Sequence, residues 1–132
     1  MKGRIAVIDD DVVFLDLMQD LLAAGEDYEV LTAPHWLRSN DFIKDVQPDL
    51  VILDLMLGRE QSGWAVLQLL HDDPTTARIP VILCSAAAPA LRQMNTPANG
   101  HGAVEAVAKP FDVDHLLEVV ERLLQQAGKT LA

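Results

Sequence analysis

Short apolar runs alternate along this chain with stretches whose apolar residues recur every three or four positions. Ile5-Ala6-Val7-Ile8 and Leu50-Val51-Ile52-Leu53 are continuously apolar, as strands covered on both faces should be. Tyr28–Thr32, Pro80–Cys84 and Val104–Ala108 read as three further strands. After the first run, Phe14, Leu15, Met18, Leu21 and Leu22 keep helical spacing, with Gly25 as a C-terminal stop. A second helix follows Pro34, with Trp36, Ile43 and Val46 on one face, and breaks at Pro48-Asp49. A third starts near Gly63-Trp64, carries Leu67 and Leu70, and ends before Asp73-Pro74. Pro89 suits the first position of a short helix. In the last helix Val113, Leu116, Leu117, Val120, Leu123, Leu124 and Ala127 form an apolar stripe, and Asp112 is its N-cap. Strand and helix thus alternate five times. Right-handed crossovers then predict an α/β fold: a five-stranded parallel sheet, doubly wound, with helices on both faces.

Composition narrows the class. A chain of 132 residues, half of them hydrophobic, is one domain with a sizeable core. The net charge is −10, and the 10 Lys and Arg residues do not cluster, which argues against a nucleic-acid surface. One cysteine forbids an internal disulfide and fits a reducing compartment. Met1-Lys2-Gly3-Arg4 leads into only four apolar residues, so no secretory signal is read there. No apolar run is long enough to span a bilayer. The expectation is a cytoplasmic protein with no membrane partner.

The chemistry is expected where the apolar runs end. In an open parallel sheet, strand C-termini line one crevice, and ligands bind there. Ile8 is followed by Asp9-Asp10-Asp11, Leu53 by Asp54, Cys84 by Ser85, and Ala108 by Lys109-Pro110. Adjacent carboxylates repel one another and favour a hard divalent cation such as magnesium. Asp9 and Asp10 are therefore candidate metal ligands, while Asp11 caps the helix that follows. Asp54 is the candidate phosphoryl acceptor, although one such Asp alone reads equally well as a strand-end turn residue. The Ser85 hydroxyl can donate to a phosphoryl oxygen, and Lys109 can act as a point charge on it. His35, His71, His101 and His115 share no ligand spacing and read as surface or loop residues. Cys84 reads as a buried inert thiol, and Trp36 and Trp64 as packing.

On these residues the chain resembles a response-regulator receiver domain, the phosphoacceptor module of two-component signalling. The motifs are Ile5–Asp10, Pro48–Met56, Pro80–Ala86 and Lys109-Pro110-Phe111. The resemblance implies the flavodoxin-like strand order 2-1-3-4-5, a receiver over residues 1–127, and a short tail at 128–132. It implies phosphoryl transfer to Asp54 from a sensor histidine kinase or a histidine phosphotransfer protein. Mg2+ would be held by Asp9, Asp10, Asp54 and the backbone carbonyl of Met56. Ser85 and Lys109 would contact the phosphoryl group. The chain would then be a signalling module, catalysing only its own phosphorylation and dephosphorylation, with a homodimer allowed through the last helix and the downstream partner left open.

Three departures from the family stand out. The fifth-strand aromatic is replaced by Ala106. Pro97, Gly100 and Gly102 oppose helix, so the helix from Pro89 is expected to end near Asn95 and give way to a loop over Thr96–Gly102. Gly58–Ser62, read as a polar loop, carries one extra residue. Met56 and Ala87 match the two positions that influence acyl-phosphate hydrolysis, and neither can orient a water, so slow autodephosphorylation is expected. Two other readings stay open here. Asp9-Asp10-Asp11-Val12-Val13 fits the D-x-D-x-[TV] pattern of haloacid-dehalogenase-like phosphatases, with Asp9 as nucleophile. That reading leaves Asp54 unused and finds no paired acidic motif after Lys109. The third is a receiver-like binding module no longer switched by phosphorylation, suggested by Ala106 and by the irregular helix expected from Pro89.

Overall fold

Continuously apolar strands need cover on both faces, and the alternation along β1 shows how this chain supplies it. The structure is a computed structural model that describes residues 3–23, 28–33, 39–54, 62–85, 104–108 and 112–126. Its elements run β1 (Gly3–Ile8), α1 (Val12–Ala23), β2 (Tyr28–Ala33), α2 (Ser39–Val46), β3 (Leu50–Asp54), α3 (Ser62–Asp72), β4 (Val81–Ser85), β5 (Val104–Ala108) and α4 (Val113–Gln126). The sheet is parallel throughout, in the order β2-β1-β3-β4-β5. Ile5 and Val7 join Leu15, Met18 and Leu22 of α1 and Leu116, Val120 and Leu124 of α4 in one buried cluster. Ala6 and Ile8, on the opposite side of the pleat, join Ile43 of α2 and Val66, Leu67 and Leu70 of α3 in a second. This is the doubly wound arrangement expected from the alternation of strands and helices.

Details differ from the sequence reading at the element ends. β1 begins at Gly3, β2 runs on to Ala33 and β4 spans Val81–Ser85. Pro80 cannot donate to a ladder, yet its carbonyl accepts the Val51 N–H at 3.0 Å. Helix α3 starts at Ser62, inside the stretch expected to be loop, and α4 is described over Val113–Gln126, with Ala127 outside the described residues. Val113 is not core: as the first residue of α4 it precedes Leu116, where full burial of the stripe begins, and is 37% exposed. His71 lies in the last turn of α3 and is half-buried, not a loop residue. The expectations for Gly25, Trp36, residues 58–61, the helix opening at Pro89 and Thr96–Gly102 fall outside the described residues, as do the side chains of Trp64 and Ala106.

The sheet edge opposite the strand C-termini is held by side chains that the hydrophobic pattern does not reveal. Helix α2 ends at Val46, and Gln47 after it takes the left-handed conformation (φ 51°) one residue before Pro48. The Gln47 N–H donates to the Ile43 carbonyl at 2.9 Å, and its Nε2 donates to that of Lys44 at 2.7 Å. Arg4 Nη1 donates to the Val46 carbonyl at 2.6 Å, and its Nε meets Glu29 Oε1 at 2.6 Å. Three carbonyls that a helix end leaves unpaired are thereby satisfied. The Arg4 N–H donates to Asp49 Oδ2 at 2.8 Å, and a Cβ on Gly3 would stand only 3.1 Å from that oxygen.

Lys44 of α2 pairs with Asp73 after α3 at 2.5 Å, and Asp73 also accepts from the N–H and hydroxyl of Thr75. The Lys44 hydrogen bond, with those from Thr75, lowers the Asp73 carboxyl to about 2. A depressed carboxyl contributes stability above its unfolded-state value and loses it as pH falls through the folded one. The wild-type chain should therefore lose stability relative to Asp73→Asn as pH drops from about 4 to about 2. Chemical denaturation of the two proteins across that range measures the difference, and parallel stability curves would contradict it.

Candidate functional site

The β1–β3 register places the acidic residues. Ile8 pairs with Leu53, so the next residues, Asp9 and Asp54, stand side by side where the two strands end. Asp54 is also in register with Cys84 of β4. Each carboxylate of Asp9, Asp10 and Asp54 has an oxygen within 4.8 Å of one on the other two. Asp9 is 1% and Asp54 8% exposed, whereas Asp10 faces solvent. Like charges this close repel by on the order of 4 kcal/mol per pair at a protein-like dielectric. The fold therefore has to hold them together against that repulsion.

Two devices at the end of β1 do so. The Asp9 N–H donates to the Ala33 carbonyl of β2 at 3.2 Å, which extends the ladder one residue past the strand. The Asp9 Oδ1 accepts the Asp11 N–H at 2.9 Å. Asp11 is the N-cap of α1: its Oδ1 accepts from Val13 N–H at 3.0 Å and Phe14 N–H at 3.3 Å, and its carbonyl accepts from Leu15 N–H at 3.0 Å. The capping role expected for Asp11 is what the structure shows. Its backbone contact with Asp9 was not legible in the sequence, because any residue at that position offers an N–H. Asp112 caps α4 in the same way, through Asp114 N–H at 2.9 Å.

Among the described residues this is the one group of His, Cys, Asp and Glu side chains close enough to share a metal ion. Its donor chemistry fits Mg2+. All three ligating groups are hard carboxylates, two buried and one open to solvent, and magnesium takes one or two carboxylates and keeps waters and phosphate oxygens. Ser85 ends β4 opposite Ala108 of β5 in the ladder, so its backbone lies one residue beyond the level of Asp54. The Ser85 side chain, Met56, Lys109 and Pro110 lie outside the described residues. Ala106 pairs with Leu83 in the same ladder. Cys84 is fully buried in the core beneath the site, in agreement with its reading as a buried thiol.

Helix α1 carries a second apolar set that the core-facing stripe concealed. Val12, Val13 and Leu17 are 59%, 76% and 49% exposed. Val12 and Val13 belong to its first turn, directly after Asp9–Asp11. The signal was present in the sequence as three apolar residues off the stripe, but only the packed helix shows which of them reach solvent. Among the described residues no helix is long and apolar enough to cross a membrane.

Residues 5–121 match the model of the response regulator receiver domain family. The chain is 37% identical over 129 residues to the DNA-binding dual master transcriptional regulator RpaA of Synechocystis sp., covering 96% of this chain and 51% of that protein. It thus spans about half the length of that relative. It is 28% identical over 127 residues to the polar-differentiation response regulator DivK of Brucella anthropi, covering 96% of this chain and all of that one. Its fold matches a CheY-like response regulator receiver domain protein from Methanospirillum hungatei with a TM-score of 0.75, at 23% identity, over 96% of both chains.

Proposed function

The chain belongs to the family of response regulator receiver domains, and from that premise we propose that Asp54 accepts a phosphoryl group in a Mg2+-dependent reaction. Receiver domains of this family interact with histidine kinases or phosphotransfer proteins and bind Mg2+ at an acidic pocket. The observation that carries the residue assignment is the convergence of the Asp9, Asp10 and Asp54 carboxylates at the ends of β1 and β3. A carboxylate oxygen of Asp54 attacks phosphorus, an O–P bond forms, and the bond from phosphorus to the donor nitrogen or oxygen breaks. From a phosphohistidine donor the departing imidazole nitrogen keeps the bonding pair and takes a proton from solvent, whereas acetyl phosphate departs as acetate and needs none.

Asp9, Asp10, Asp54 and the Met56 carbonyl would hold Mg2+. When bound, the metal neutralises the charge that otherwise keeps an anionic donor from this acidic crevice. The remaining work falls to the chain. Asp9, nearly buried and oriented by the Asp11 N–H, presents a fixed carboxylate beside Asp54. The Ser85 hydroxyl donates to a phosphoryl oxygen and the Lys109 ammonium pairs with the transferred charge. The β4–β5 register, which ends both strands at the level of the site, supports that pair of roles. We assign residues 1–127 to the receiver domain and 128–132 to a tail. The chain acts as a cytoplasmic signalling module that catalyses only its own phosphorylation and dephosphorylation.

The phosphodonor protein is proposed to seat on α1. Val13 and Leu17 are exposed one turn apart, beside the acidic cluster that the donor must reach. Truncating an apolar contact that matters costs about 1 kcal/mol or more, roughly fivefold in affinity. Val13→Ala with Leu17→Ala should slow phosphotransfer from a cognate kinase and leave uptake from acetyl phosphate unchanged. Equal slowing with both donors would place the defect in the site itself.

Peptide mapping after incubation with acetyl phosphate and Mg2+ tests the acceptor. The phosphoryl group is expected on the peptide containing Asp54. A label at Asp9 would instead support the phosphatase chemistry, and an unchanged mass would support a module that is no longer switched.

A further inference from the structure

A cavity of about 370 Å3 opens at the end of the sheet opposite the acidic cluster, where β3 and β4 begin. One wall is the turn Gln47-Pro48-Asp49 ahead of β3. The other belongs to the connection that leads from Thr75 to Pro80 ahead of β4. Pro48, Ile79 and Pro80 supply its apolar surface. Small-molecule sites have volumes of roughly 300–1,000 Å3, and this cavity falls within that range.

Both walls are fixed by contacts made within the chain. Gln47 is held in the left-handed conformation (φ 51°), with Nε2 donating to the Lys44 carbonyl at 2.7 Å. The Lys44–Asp73 ion pair ties the end of α2 to the start of the opposite connection. There the Thr76 hydroxyl, in a residue 1% exposed, donates to the Leu70 carbonyl at 2.7 Å. The Ile79 N–H donates to the Thr76 carbonyl at 3.1 Å. A cavity braced in this way needs little ordering when a ligand arrives.

The polar groups of the lining differ in what they have left to offer. The Thr75 hydroxyl donates to Asp73 Oδ1 at 2.8 Å, and Asp49 Oδ2 accepts the Arg4 N–H at 2.8 Å. Arg78 stands apart. Of the described Lys and Arg residues, Arg4, Lys44 and Arg122 each pair with a carboxylate. Among the described residues Arg78 makes no such pair, in a chain with 20 acidic and 10 basic residues. Its guanidinium presents a planar fork of donors that matches a carboxylate.

We infer that this cavity binds a small, singly charged carboxylate with an apolar body, the carboxylate on Arg78 and the body against Pro48, Ile79 and Pro80. Charge selects the class. The chain carries a net charge of −10, and its field repels a multiply charged anion such as phosphate more strongly than a carboxylate. Asp49, also on the lining, adds to that repulsion. An apolar body gains contact area that phosphate lacks. Asp54 lies at the other end of β3, so phosphoryl uptake is an independent readout.

Benzoate and isovalerate are the probes, titrated into the full chain at constant ionic strength and followed by amide NMR shifts. Both are expected to saturate in the millimolar range and to move the Gln47, Thr75, Arg78 and Ile79 amides most. Arg78→Gln should weaken binding about tenfold, and Arg78→Lys about threefold, because an ammonium keeps the charge and loses the fork. Benzyl alcohol, the neutral counterpart of benzoate, should bind about tenfold more weakly than benzoate. Arg78 is exposed, so both variants should unfold at the wild-type temperature and take up a phosphoryl group from acetyl phosphate at the wild-type rate. Failure of both carboxylates to saturate would overturn the assignment. So would benzyl alcohol or inorganic phosphate binding as tightly as benzoate at the same amides, or Arg78→Gln binding benzoate like the wild type.

Discussion

Asp54→Asn should abolish phosphoryl uptake, leaving the mass of the protein unchanged under conditions where the wild type gains one phosphoryl group from acetyl phosphate and Mg2+. The reason is chemical. An amide oxygen is a poor nucleophile toward phosphorus and carries no charge to place beside a cation. The substitution is nearly isosteric, so the site keeps its shape. It also removes one of three carboxylates that crowd within 4.8 Å, and the apo protein should unfold at the same or a slightly higher temperature. Loss of uptake with undiminished stability, read by intact mass and thermal unfolding on the same sample, separates a chemical role from a structural one. Residual uptake that maps to Asp9 or Asp10 would show that the acidic cluster, and not Asp54 alone, can act as nucleophile.

The largest effect on stability is expected one turn of the pleat below, in the same strand. Ile52→Ala should destabilise the fold by about 2–5 kcal/mol. Ile52 is 1% exposed and lies at the centre of the sheet, in register with Val7 on one side and Ile82 on the other. Its side chain belongs to the cluster covered by α1 and α4. Removing three carbons there leaves a cavity that the two flanking strands cannot collapse into without breaking register. Val113→Ala is the matched control. Val113 is 37% exposed at the start of α4, and its truncation should change stability by about 0.5 kcal/mol or less. Urea denaturation of the two variants measures the contrast. Similar midpoints for both would mean that the centre of the sheet is packed less tightly than its burial implies. Because β3 also carries Asp54, Ile52→Ala should weaken Mg2+ binding only to the extent that it unfolds the chain.

Much of this molecule was legible before its structure. Ile5–Ile8 and Leu50–Leu53 announced buried strands because strands covered on both faces leave no polar positions, and α4 announced itself through the spacing of Leu116, Val120, Leu123 and Leu124. The acidic cluster was legible for a related reason. Charged residues directly after buried strands are costly unless the strand ends there, so Asp9 and Asp54 had to lie at strand ends on one edge of a parallel sheet. Less accessible was what lies at the other edge. Arg4 bonds to Glu29 and to the end of α2, 42 residues away, and its N–H meets Asp49. No local pattern marks such a residue, since an arginine near a chain start reads the same whether or not it has partners. The ion pair of Arg122 with Glu105 at 2.8 Å, which ties α4 to β5, was hidden in the same way.

Sequence by itself determined the order of the elements, which face of each is apolar, and which residues follow each strand. These are properties of short windows, where period and turn chemistry act locally. Tertiary structure alone decided the distances. Pairing Ile8 with Leu53 is what sets Asp9 beside Asp54, and seating Asp11 on α1 is what turns its N–H toward Asp9. Both depend on register between segments more than forty residues apart or on the angle at which a helix leaves a strand, and hydrophobic burial fixes those only when the whole sheet closes.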